Sequence, residues 1–300
     1  MKILITGVYG IVGSYLCEHL RNNNEIVGIG IRKVFDGCNK YYSCDITEKE
    51  QIKKVFDENK DIDIIIHCAA LAHNKGNDLS FDRFMKVNYE ATKYLVDLSN
   101  EYLNIKNFIF ISTISVYGEM LEKSIYRETD ICEPRSPYAV AKKKSEDYIK
   151  EKCKSNYSIL RLAPVYSKEF TLNIDRRSMI KNIPYRVGRG KQKLSLCNIA
   201  NIYEATNYII NNSTKECKEI YNISDNEIYD FNDLLKFNNV GIKKIIFPRF
   251  AFKFLNEINK ITLKKQFIHE NTIKLITDNI YSSDKINEKV RMKHKMKDVM

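Results

Sequence analysis

A short apolar segment, residues 2–6, runs directly into a turn in which Gly7, Gly10 and Gly13 are spaced three residues apart. Residues 11–22 follow with apolar side chains on one helical face, so the sequence predicts a strand, a turn and a helix in succession. In such a unit the first glycine permits the sharp turn, the second lets the backbone approach a pyrophosphate, and the third lets helix and strand pack closely. The phosphates then lie at the positive end of the helix. The alternative is a glycine-rich turn without a ligand, but the sequence favours a dinucleotide site here.

Strand and helix signals alternate through the first half of the chain. Strands are predicted at residues 2–6, 25–30, 62–67, 107–112 and 157–163, and helices at residues 11–22, 48–58, 81–103 and 137–154. This alternation is typical of an α/β fold, a Rossmann-type doubly wound parallel sheet. Ligands of such sheets bind at the carboxyl ends of the strands. Gly7, Ala69 and Thr113 are all predicted at those ends.

The second half of the chain has a different pattern, with loops and short apolar segments. We expect a dinucleotide-binding domain at residues 1–163 and a smaller C-terminal lobe for the substrate at residues 164–300. Within that lobe, residues 194–215 are expected to return to the sheet of the first domain.

Tyr138 and Lys142 are four residues apart in a predicted helix, so they share one helical face. A lysine beside a tyrosine favours the ionised phenol and is expected to lower the pKa of Tyr138. Such a tyrosine can give or take a proton at a sugar hydroxyl or ketone. In a chain with 19 tyrosines this spacing alone is weak evidence. Its interpretation depends on the motifs that precede it.

Five short motifs follow the glycine turn in order. They are Cys44-Asp-Ile-Thr47, His67-Cys-Ala-Ala70, Val87-Asn-Tyr-Glu-Ala-Thr92, Ser112-Thr-Ile-Ser-Val-Tyr-Gly118 and Pro137-Tyr138. With the glycine turn and Lys142, they resemble the extended short-chain dehydrogenase/reductases, the NAD-dependent epimerase/dehydratases of nucleotide sugars, over nearly the whole chain.

The resemblance implies a role for individual residues. Tyr138 is expected to be the general acid/base, Lys142 to lower its pKa and hold the nicotinamide ribose, and Thr113 to hydrogen bond to the reacting oxygen. The residues expected to bind the cofactor are Gly7, Gly10, Ile11, Gly13, Arg32, Asp45, Ile46, Ala69, Ala70, Asn88, Tyr138 and Lys142. The residues expected to contact the substrate are Thr113, Arg161, Arg186 and Lys193. For Asp45, capping of the helix that starts near Thr47 remains an alternative.

The predicted second strand ends at Gly30 without the acidic residue that would hold a ribose 2′-hydroxyl. Arg32 and Lys33 follow instead, and a cation there accommodates a 2′-phosphate. The sequence therefore favours NADP(H) over NAD(H).

The reaction type depends on departures from the family pattern. Dehydratases of the family follow the catalytic threonine with Asp-Glu, but Ile114 and Ser115 stand there, so dehydration is not expected. Galactose-type epimerases carry an asparagine where this chain has Pro164, and residues 183–196 look more like 4-keto-sugar reductases. Two candidate reactions of a UDP-linked hexose therefore remain, 4-epimerisation and 4-keto reduction. Either reaction is expected to belong to surface-polysaccharide synthesis. The alternative is a non-catalytic NADP-binding regulator or scaffold, although such members typically lose the tyrosine or the lysine.

The formal net charge of +11 is concentrated at the end of the chain, where residues 241–300 contain 14 Lys+Arg and 6 Asp+Glu. A solvated lysine-rich surface is the preferred interpretation. A positive rim for a diphosphate remains an alternative. So does peripheral docking on an anionic membrane, through an apolar helical face. That face comprises Phe250, Ala251, Phe254, Leu255 and Ile258. No motif supports nucleic-acid binding.

Other features agree with a cytoplasmic enzyme. No run of 18 apolar residues is present, and Met1 leads directly into the first strand, so neither a transmembrane helix nor a signal peptide is expected. The eight cysteines show no metal-ligand spacing, and no metal is expected. By resemblance, a homodimer formed through the helices at residues 81–103 and 137–154 is expected.

Overall fold

The computed structural model describes residues 1–72, 80–118, 123–238, 244–259 and 272–299. Its contacts divide the chain into two units. The first comprises Met1–Val116, Pro134–Arg161 and Ile202–Tyr221, and the second Tyr117–Glu133, Leu162–Asn201 and Asn222–Met300. By this division, residues 117–133 lie in the second unit, and the segment that returns to the first is Ile202–Tyr221.

The first unit is built on a seven-stranded sheet with flanking helices. Its strands are β1 (Lys2–Thr6), β2 (Glu25–Gly30), β3 (Lys40–Ser43), β4 (Ile64–His67), β5 (Asn107–Thr113), β7 (Asn156–Leu162) and β13 (Lys218–Ile223). Its helices are α1 (Ile11–Leu20), α2 (Lys49–Asp57), α3 (Phe81–Phe84), α4 (Ala91–Tyr102), α5 (Pro137–Lys152) and α7 (Ile199–Asn211). Short runs of Ile, Leu, Val and Phe form the central strands, and these side chains are buried because helices cover the sheet.

The strand order in the sheet is β13-β7-β5-β4-β1-β2-β3. β1 pairs in parallel with β2 on one side and with β4 on the other. Chain order therefore reverses between β1 and β4, and a ligand crevice is expected outside the carboxyl ends of these strands. The predicted Rossmann-type fold class is confirmed.

Two helices carry residues of the candidate site. α5 begins where the Ser136 hydroxyl accepts a hydrogen bond from the N–H of Ala139, with Pro137 in the first turn. A π-helical turn, Met85–Glu90, joins α3 and α4, so the predicted helix at residues 81–103 is interrupted. Turns of this kind are frequent at functional sites, and this one contains Asn88.

The second unit consists of short elements. Its strands are β6 (Ile125–Tyr126), β8 (Val165–Tyr166), β9 (Met179–Ile180), β10 (Ile183–Val187), β11 (Lys193–Leu194), β12 (Cys197–Asn198), β14 (Tyr229–Asp230), β15 (Ile245–Phe247) and β16 (Ile280–Tyr281). Its helices are α6 (Leu172–Ser178), α8 (Phe231–Phe237), α9 (Arg249–Ile258) and α10 (Asp284–Asn287). A small core packs Tyr166, Leu196 and Leu234 together.

α9 exposes apolar side chains. Phe250 is 74% exposed and Phe254 is 67% exposed, whereas the polar Asn256 of the same helix is buried. This face of α9 was interpreted either as a solvated surface or as a surface that docks on a membrane, and both interpretations stay predictions. Within the described ranges, no helix has both the length and the apolar character needed to cross a bilayer.

Candidate active site

The glycine turn has the geometry that a bound pyrophosphate requires. Gly7 has φ +72°, and a Cβ there would lie 2.6 Å from the backbone of Ala69. A Cβ on Gly13 would lie 2.3 Å from the carbonyl oxygen of Gly7, so α1 packs closely on the turn. Gly10 is exposed and precedes α1, whose N-terminus has no side-chain cap. The turn therefore leads into the uncapped, positive N-terminus of α1, which fits a dinucleotide phosphate.

Buried hydrogen bonds connect β1, β4 and α4 beneath this turn. Thr6 Oγ1 lies 2.7 Å from Nδ1 of His67, and Nε2 of His67 lies 3.0 Å from Oγ1 of Thr92. The backbone N–H of Ala69 donates to Thr6 Oγ1 at 3.1 Å. Burial, with the charge of Lys142, holds the pKa of His67 well below its usual value, so the imidazole is neutral. These contacts fix the position of Ala69 beside Gly7.

Asn88 holds the next part of the same turn. Its side-chain oxygen accepts from the N–H of Leu71 at 2.7 Å, and its side-chain nitrogen donates to the carbonyl of Leu71 at 3.1 Å. The Asn88 carbonyl accepts hydrogen bonds from Thr92 at 2.6 Å and from Ser145 at 2.9 Å. The buried Asn88 therefore connects the turn after Ala70 to α5, and it supports the position of that turn.

Thr113 and Tyr138, the residues predicted to react, lie within hydrogen-bond reach of each other. Thr113 ends β5, at the carboxyl edge of the sheet, and Tyr138 lies in the first turn of α5. Burial raises the pKa of Tyr138 to about 12, and a hydrogen bond with the Thr113 hydroxyl opposes this rise. The ring of Phe84 packs against Tyr138 with its centroid 6.4 Å away. Tyr138 is therefore a protonated phenol at neutral pH, with a threonine hydroxyl beside it.

Lys142 is buried, and its ammonium group donates to the carbonyl of Ile111 at 2.8 Å. The same nitrogen lies 4.4 Å from the centroid of the Phe110 ring. Burial lowers the pKa of Lys142 to about 8. Lys142 was expected to lower the pKa of Tyr138. The structure differs, because burial has the largest effect on that pKa and the Lys142 ammonium group is turned towards β5.

Arg161 is placed differently from the prediction. Its Nε and one terminal nitrogen donate to the carboxylate of Glu146, at distances down to 2.7 Å, and both residues are at most 2% exposed. Because the guanidinium is buried and paired with a carboxylate, it is not available to a substrate diphosphate, and the prediction for Arg161 is corrected.

The structure also places the residues predicted around the adenosine half of the cofactor. Asp45 is exposed just beyond β3, and its carboxylate accepts from the N–H of Thr47 at 2.9 Å. α2 begins only at Lys49, with Glu48 before it, so Asp45 is not its N-cap. Ile46 is buried in the core of the first unit.

The second unit contains a basic cavity of about 560 Å³. Its lining residues are Gly188, Arg189, Lys191, Gln192, Arg249 and Asp278. Gln192 is 5% exposed, and its side-chain oxygen has no hydrogen-bond partner in the described part of the chain. None of these residues was predicted to contact the substrate, although the first four lie within residues 183–196, the segment that resembles 4-keto-sugar reductases, whereas Arg249 and Asp278 are distant in sequence.

Arg186 and Lys193, the other predicted substrate contacts, also lie in the second unit. Arg186 donates to the side-chain oxygen of Asn232 at 3.1 Å, while its Nε is buried without a partner among the described residues. Lys193 is exposed, and its backbone N–H donates to Asp278 at 2.8 Å. Their contact with a substrate stays a prediction.

The chain belongs to the NAD dependent epimerase/dehydratase family, which it matches over residues 3–224. A relative in Dictyostelium discoideum, a dTDP-D-glucose 4,6-dehydratase, is 27% identical over 278 residues, covering 80% of this chain and 62% of that protein. The chain spans between about half and two thirds of the length of the first curated relatives that it matches.

Two solved structures share the fold. UDP-glucose 4-epimerase from Thermotoga maritima, with UDP-glucose, has a TM-score of 0.73 at 21% identity and covers 96% of this chain and 92% of its own. UDP-glucuronic acid 4-epimerase from Bacillus cereus, with UDP-glucuronic acid and NAD, has a TM-score of 0.73 at 20% identity and covers 99% and 96%.

The prediction of NADP(H) is wrong. The family is described as NAD dependent, and the Bacillus cereus neighbour contains NAD. The prediction relied on Arg32 as a ligand for a 2′-phosphate. In the structure the Arg32 guanidinium carbon lies 4.6 Å from the centroid of the Tyr9 ring, so the cation is stacked on an aromatic side chain.

Proposed function

We propose that this chain catalyses NAD-dependent oxidation and reduction at C4 of a nucleotide-linked hexose, with 4-epimerisation as the first candidate reaction. The observation that carries the proposal is the group of Thr113, Tyr138 and Lys142 at the carboxyl end of β5, in the same unit as the glycine turn. NAD, when bound, would accept a hydride from the sugar and return it.

Proton transfer is assigned to Tyr138, because its phenol is paired with Thr113. Thr113 positions the reacting sugar oxygen by hydrogen bonding, and its hydroxyl connects that oxygen to the phenol. Lys142 supplies a positive charge behind them. The ammonium group faces the Ile111 carbonyl and does not lower the pKa of the resting Tyr138, but a positive charge in the same helix favours the phenolate that forms as Tyr138 gives up its proton.

Dehydration is disfavoured although several relatives are dTDP-glucose 4,6-dehydratases. The resemblance gives dehydratases an Asp-Glu pair directly after the catalytic threonine, whereas this chain has Ile114 and Ser115. The backbone N–H of Ser115 donates to the Thr113 hydroxyl oxygen at 3.2 Å. Neither side chain at these two positions is an acid that could serve the elimination of water.

NAD dependence favours an epimerase over a reductase. An enzyme that starts from the oxidised cofactor first removes a hydride from C4, and returning it to the opposite face restores the cofactor without a second reductant. Reduction of a 4-keto sugar is the second candidate, supported by Pro164 in place of the asparagine of galactose-type epimerases. A place in surface-polysaccharide synthesis remains part of the proposal.

We assign the substrate diphosphate to the basic cavity of the second unit. Arg189, Lys191 and Arg249 line it together with the carboxylate of Asp278, and a diphosphate supplies the negative charge that this net positive lining attracts. The unpartnered oxygen of Gln192 provides an acceptor for a hydroxyl or amide donor of the same ligand.

The test is a panel of UDP-hexoses, UDP-4-keto sugars and dTDP-glucose, in which NADH absorbance and sugar products are both followed. Interconversion of C4 epimers without net change of cofactor is the expected result. Stoichiometric consumption of NADH with a 4-keto sugar identifies the reductase instead. Elimination of water from dTDP-glucose contradicts the argument from Ile114 and Ser115, and no reaction with any sugar contradicts the proposed function.

A further inference from the structure

β2 ends at Gly30, and neither Gly30 nor the residues that follow directly, Ile31 and Arg32, is acidic. In dinucleotide-binding folds an acidic residue near this point holds the 2′-hydroxyl of the adenosine ribose. Because the proposed function assigns NAD to this chain, and the inference rests on that assignment, another polar group has to hold the ribose here.

The ring of Tyr9 occupies the place of the missing side chain. A Cβ built on Gly30 would lie 2.9 Å from Cδ2 of Tyr9 and 3.2 Å from the hydroxyl oxygen of Tyr41. Any side chain on Gly30, an aspartate included, would collide with the Tyr9 ring. The glycine at the end of β2 and the tyrosine in the glycine turn are therefore complementary.

Neighbouring aromatic rings hold Tyr9 in this position. The ring of Phe35 lies 5.0 Å from it and the ring of Tyr41 lies 6.0 Å from it, both edge to face. The Tyr41 hydroxyl is already used, because it lies 2.9 Å from the carbonyl of Gly30 and also contacts the carbonyl of Arg32. Burial, followed by the nearby Tyr9 phenol, raises the pKa of Tyr41.

The Tyr9 hydroxyl is buried beside the Tyr41 phenol, and it makes no hydrogen bond of ordinary geometry with any described residue. Buried polar atoms normally have a partner, and an exception points to a missing one. The ring is covered on one face by Arg32, which is exposed and has a flexible side chain. Displacement of this surface arginine would uncover that face of the Tyr9 ring without any change in the core.

We propose that the hydroxyl of Tyr9 hydrogen bonds to the 2′-hydroxyl of the adenosine ribose of NAD, in place of the acidic residue that β2 lacks. A phenol both donates and accepts, as does a ribose hydroxyl, so the pair needs no charge. Tyr9 lies in the same turn as Gly7 and Gly10, which are assigned to the pyrophosphate. One turn thus contacts both the phosphates and the adjoining ribose.

The test is calorimetric titration of the full chain with NAD and with NAD that lacks the adenosine 2′-hydroxyl. Tyr9→Phe keeps the ring and removes only the phenol oxygen, so the fold should be retained. We expect NAD to bind about 5-fold more weakly to this variant, the size of one net hydrogen bond. The wild type should bind NAD that lacks the adenosine 2′-hydroxyl more weakly than NAD by a similar factor. Tyr9→Phe should bind the two ligands with equal affinity.

Tyr41→Phe is the matched control, because it removes a phenol oxygen from the same cluster. Tyr41→Phe should still bind NAD more tightly than NAD that lacks the adenosine 2′-hydroxyl. The inference is overturned if the wild type and Tyr9→Phe bind NAD with equal affinity. It is also overturned if Tyr9→Phe binds both ligands more weakly than the wild type by the same factor. Absence of NAD binding by the wild type overturns the cofactor assignment as well. If binding depends on Tyr9 but no sugar is converted, the proposed reaction fails and the inference stands.

Discussion

The buried carboxylate of Glu146 accepts hydrogen bonds from Nε of Arg161 at 3.1 Å and from a terminal nitrogen of Arg161 at 2.7 Å. The same carboxylate accepts from the hydroxyl of Ser112 at 2.6 Å. It thereby connects α5 with β5 and β7. Lys142 lies one helical turn before Glu146, and Thr113 directly follows Ser112. The Glu146 carboxylate therefore joins α5 and β5, the two elements that carry the assigned reactive residues.

Replacing Arg161 by Met should destabilise the protein strongly. The change leaves the Glu146 carboxylate buried without its partner, and breaking a buried pair from one side typically costs about 3–5 kcal/mol. Denaturant unfolding measures this loss. The double variant Arg161→Met/Glu146→Leu should recover most of it, since neither charge is then buried. Unchanged stability together with a raised KM for a nucleotide sugar would instead restore Arg161 as a substrate contact.

Replacing Tyr138 by Phe should reduce turnover by roughly 100-fold or more, because a positioned acid/base contributes about 10²–10⁴-fold. The affinity for NAD should fall by no more than about 5-fold, the size of one net hydrogen bond. Initial rates and calorimetry provide the two measurements. Tyr148→Phe is the matched control, because Tyr148 lies on the same helix and its hydroxyl donates to Asp97 at 2.6 Å. Wild-type turnover by Tyr138→Phe would refute the assignment of the phenol.

Lys142 should make stability rise between about pH 8 and 10.5. Burial lowers its folded pKa to about 8, from an ordinary value of 10.5. Below pH 8 the amine is charged in both the folded and the unfolded state, so its burial cost is fully present. Above pH 8 only the folded state loses the proton, and stability therefore increases until the unfolded amine also titrates.

The measurement is the free energy of unfolding of the wild type minus that of Lys142→Met across this pH range. The difference should rise by about 3 kcal/mol, since one pKa unit corresponds to about 1.4 kcal/mol. Lys144→Met changes an exposed lysine of the same helix and should show no such rise. A difference that is flat between pH 8 and 10.5 would mean that Lys142 is not desolvated.

The sequence predicted the main sheet well, because each central strand is a short apolar run followed by a distinctive turn. Gly7 was predicted correctly as the position of the sharp turn, and Gly13 as a position of close packing. The two edge strands, β3 and β13, were missed, since Lys40–Ser43 and Lys218–Ile223 both mix polar residues with tyrosine. Edge strands lack the continuous apolar pattern of central ones.

Side-chain partners at the site could not be predicted, because they depend on tertiary contacts. The spacing of Tyr138 and Lys142 predicts a shared helical face, but the direction of the Lys142 ammonium depends on the Ile111 carbonyl of another strand. The carboxylate partner of Arg161 lies 15 residues earlier in the chain, on α5. For Arg32, the composition of the loop suggested a phosphate ligand, whereas the Tyr9 ring is its actual neighbour.

Asp225 is the centre of a buried hydrogen-bond network in the second unit. Its carboxylate accepts from the hydroxyls of Tyr166 at 2.6 Å and Tyr229 at 2.8 Å, and from the backbone N–H of Asn198 at 2.6 Å. The side-chain amide of Asn201 donates to it at 2.9 Å. These donors favour the ionised carboxylate, yet burial outweighs them and raises the pKa of Asp225 to about 6.

The contribution of Asp225 to stability should therefore decrease as pH rises from about 4 to 6. Its folded pKa exceeds the ordinary value of 3.8, so the contribution is fully present below pH 3.8 and is lost as pH rises through 6. The unfolding free energy of the wild type minus that of Asp225→Asn should fall by about 3 kcal/mol over this range. Asp284→Asn, at an exposed position of the same unit, is the control. A difference that instead grows with pH would show that the four donors, and not burial, dominate at this carboxylate.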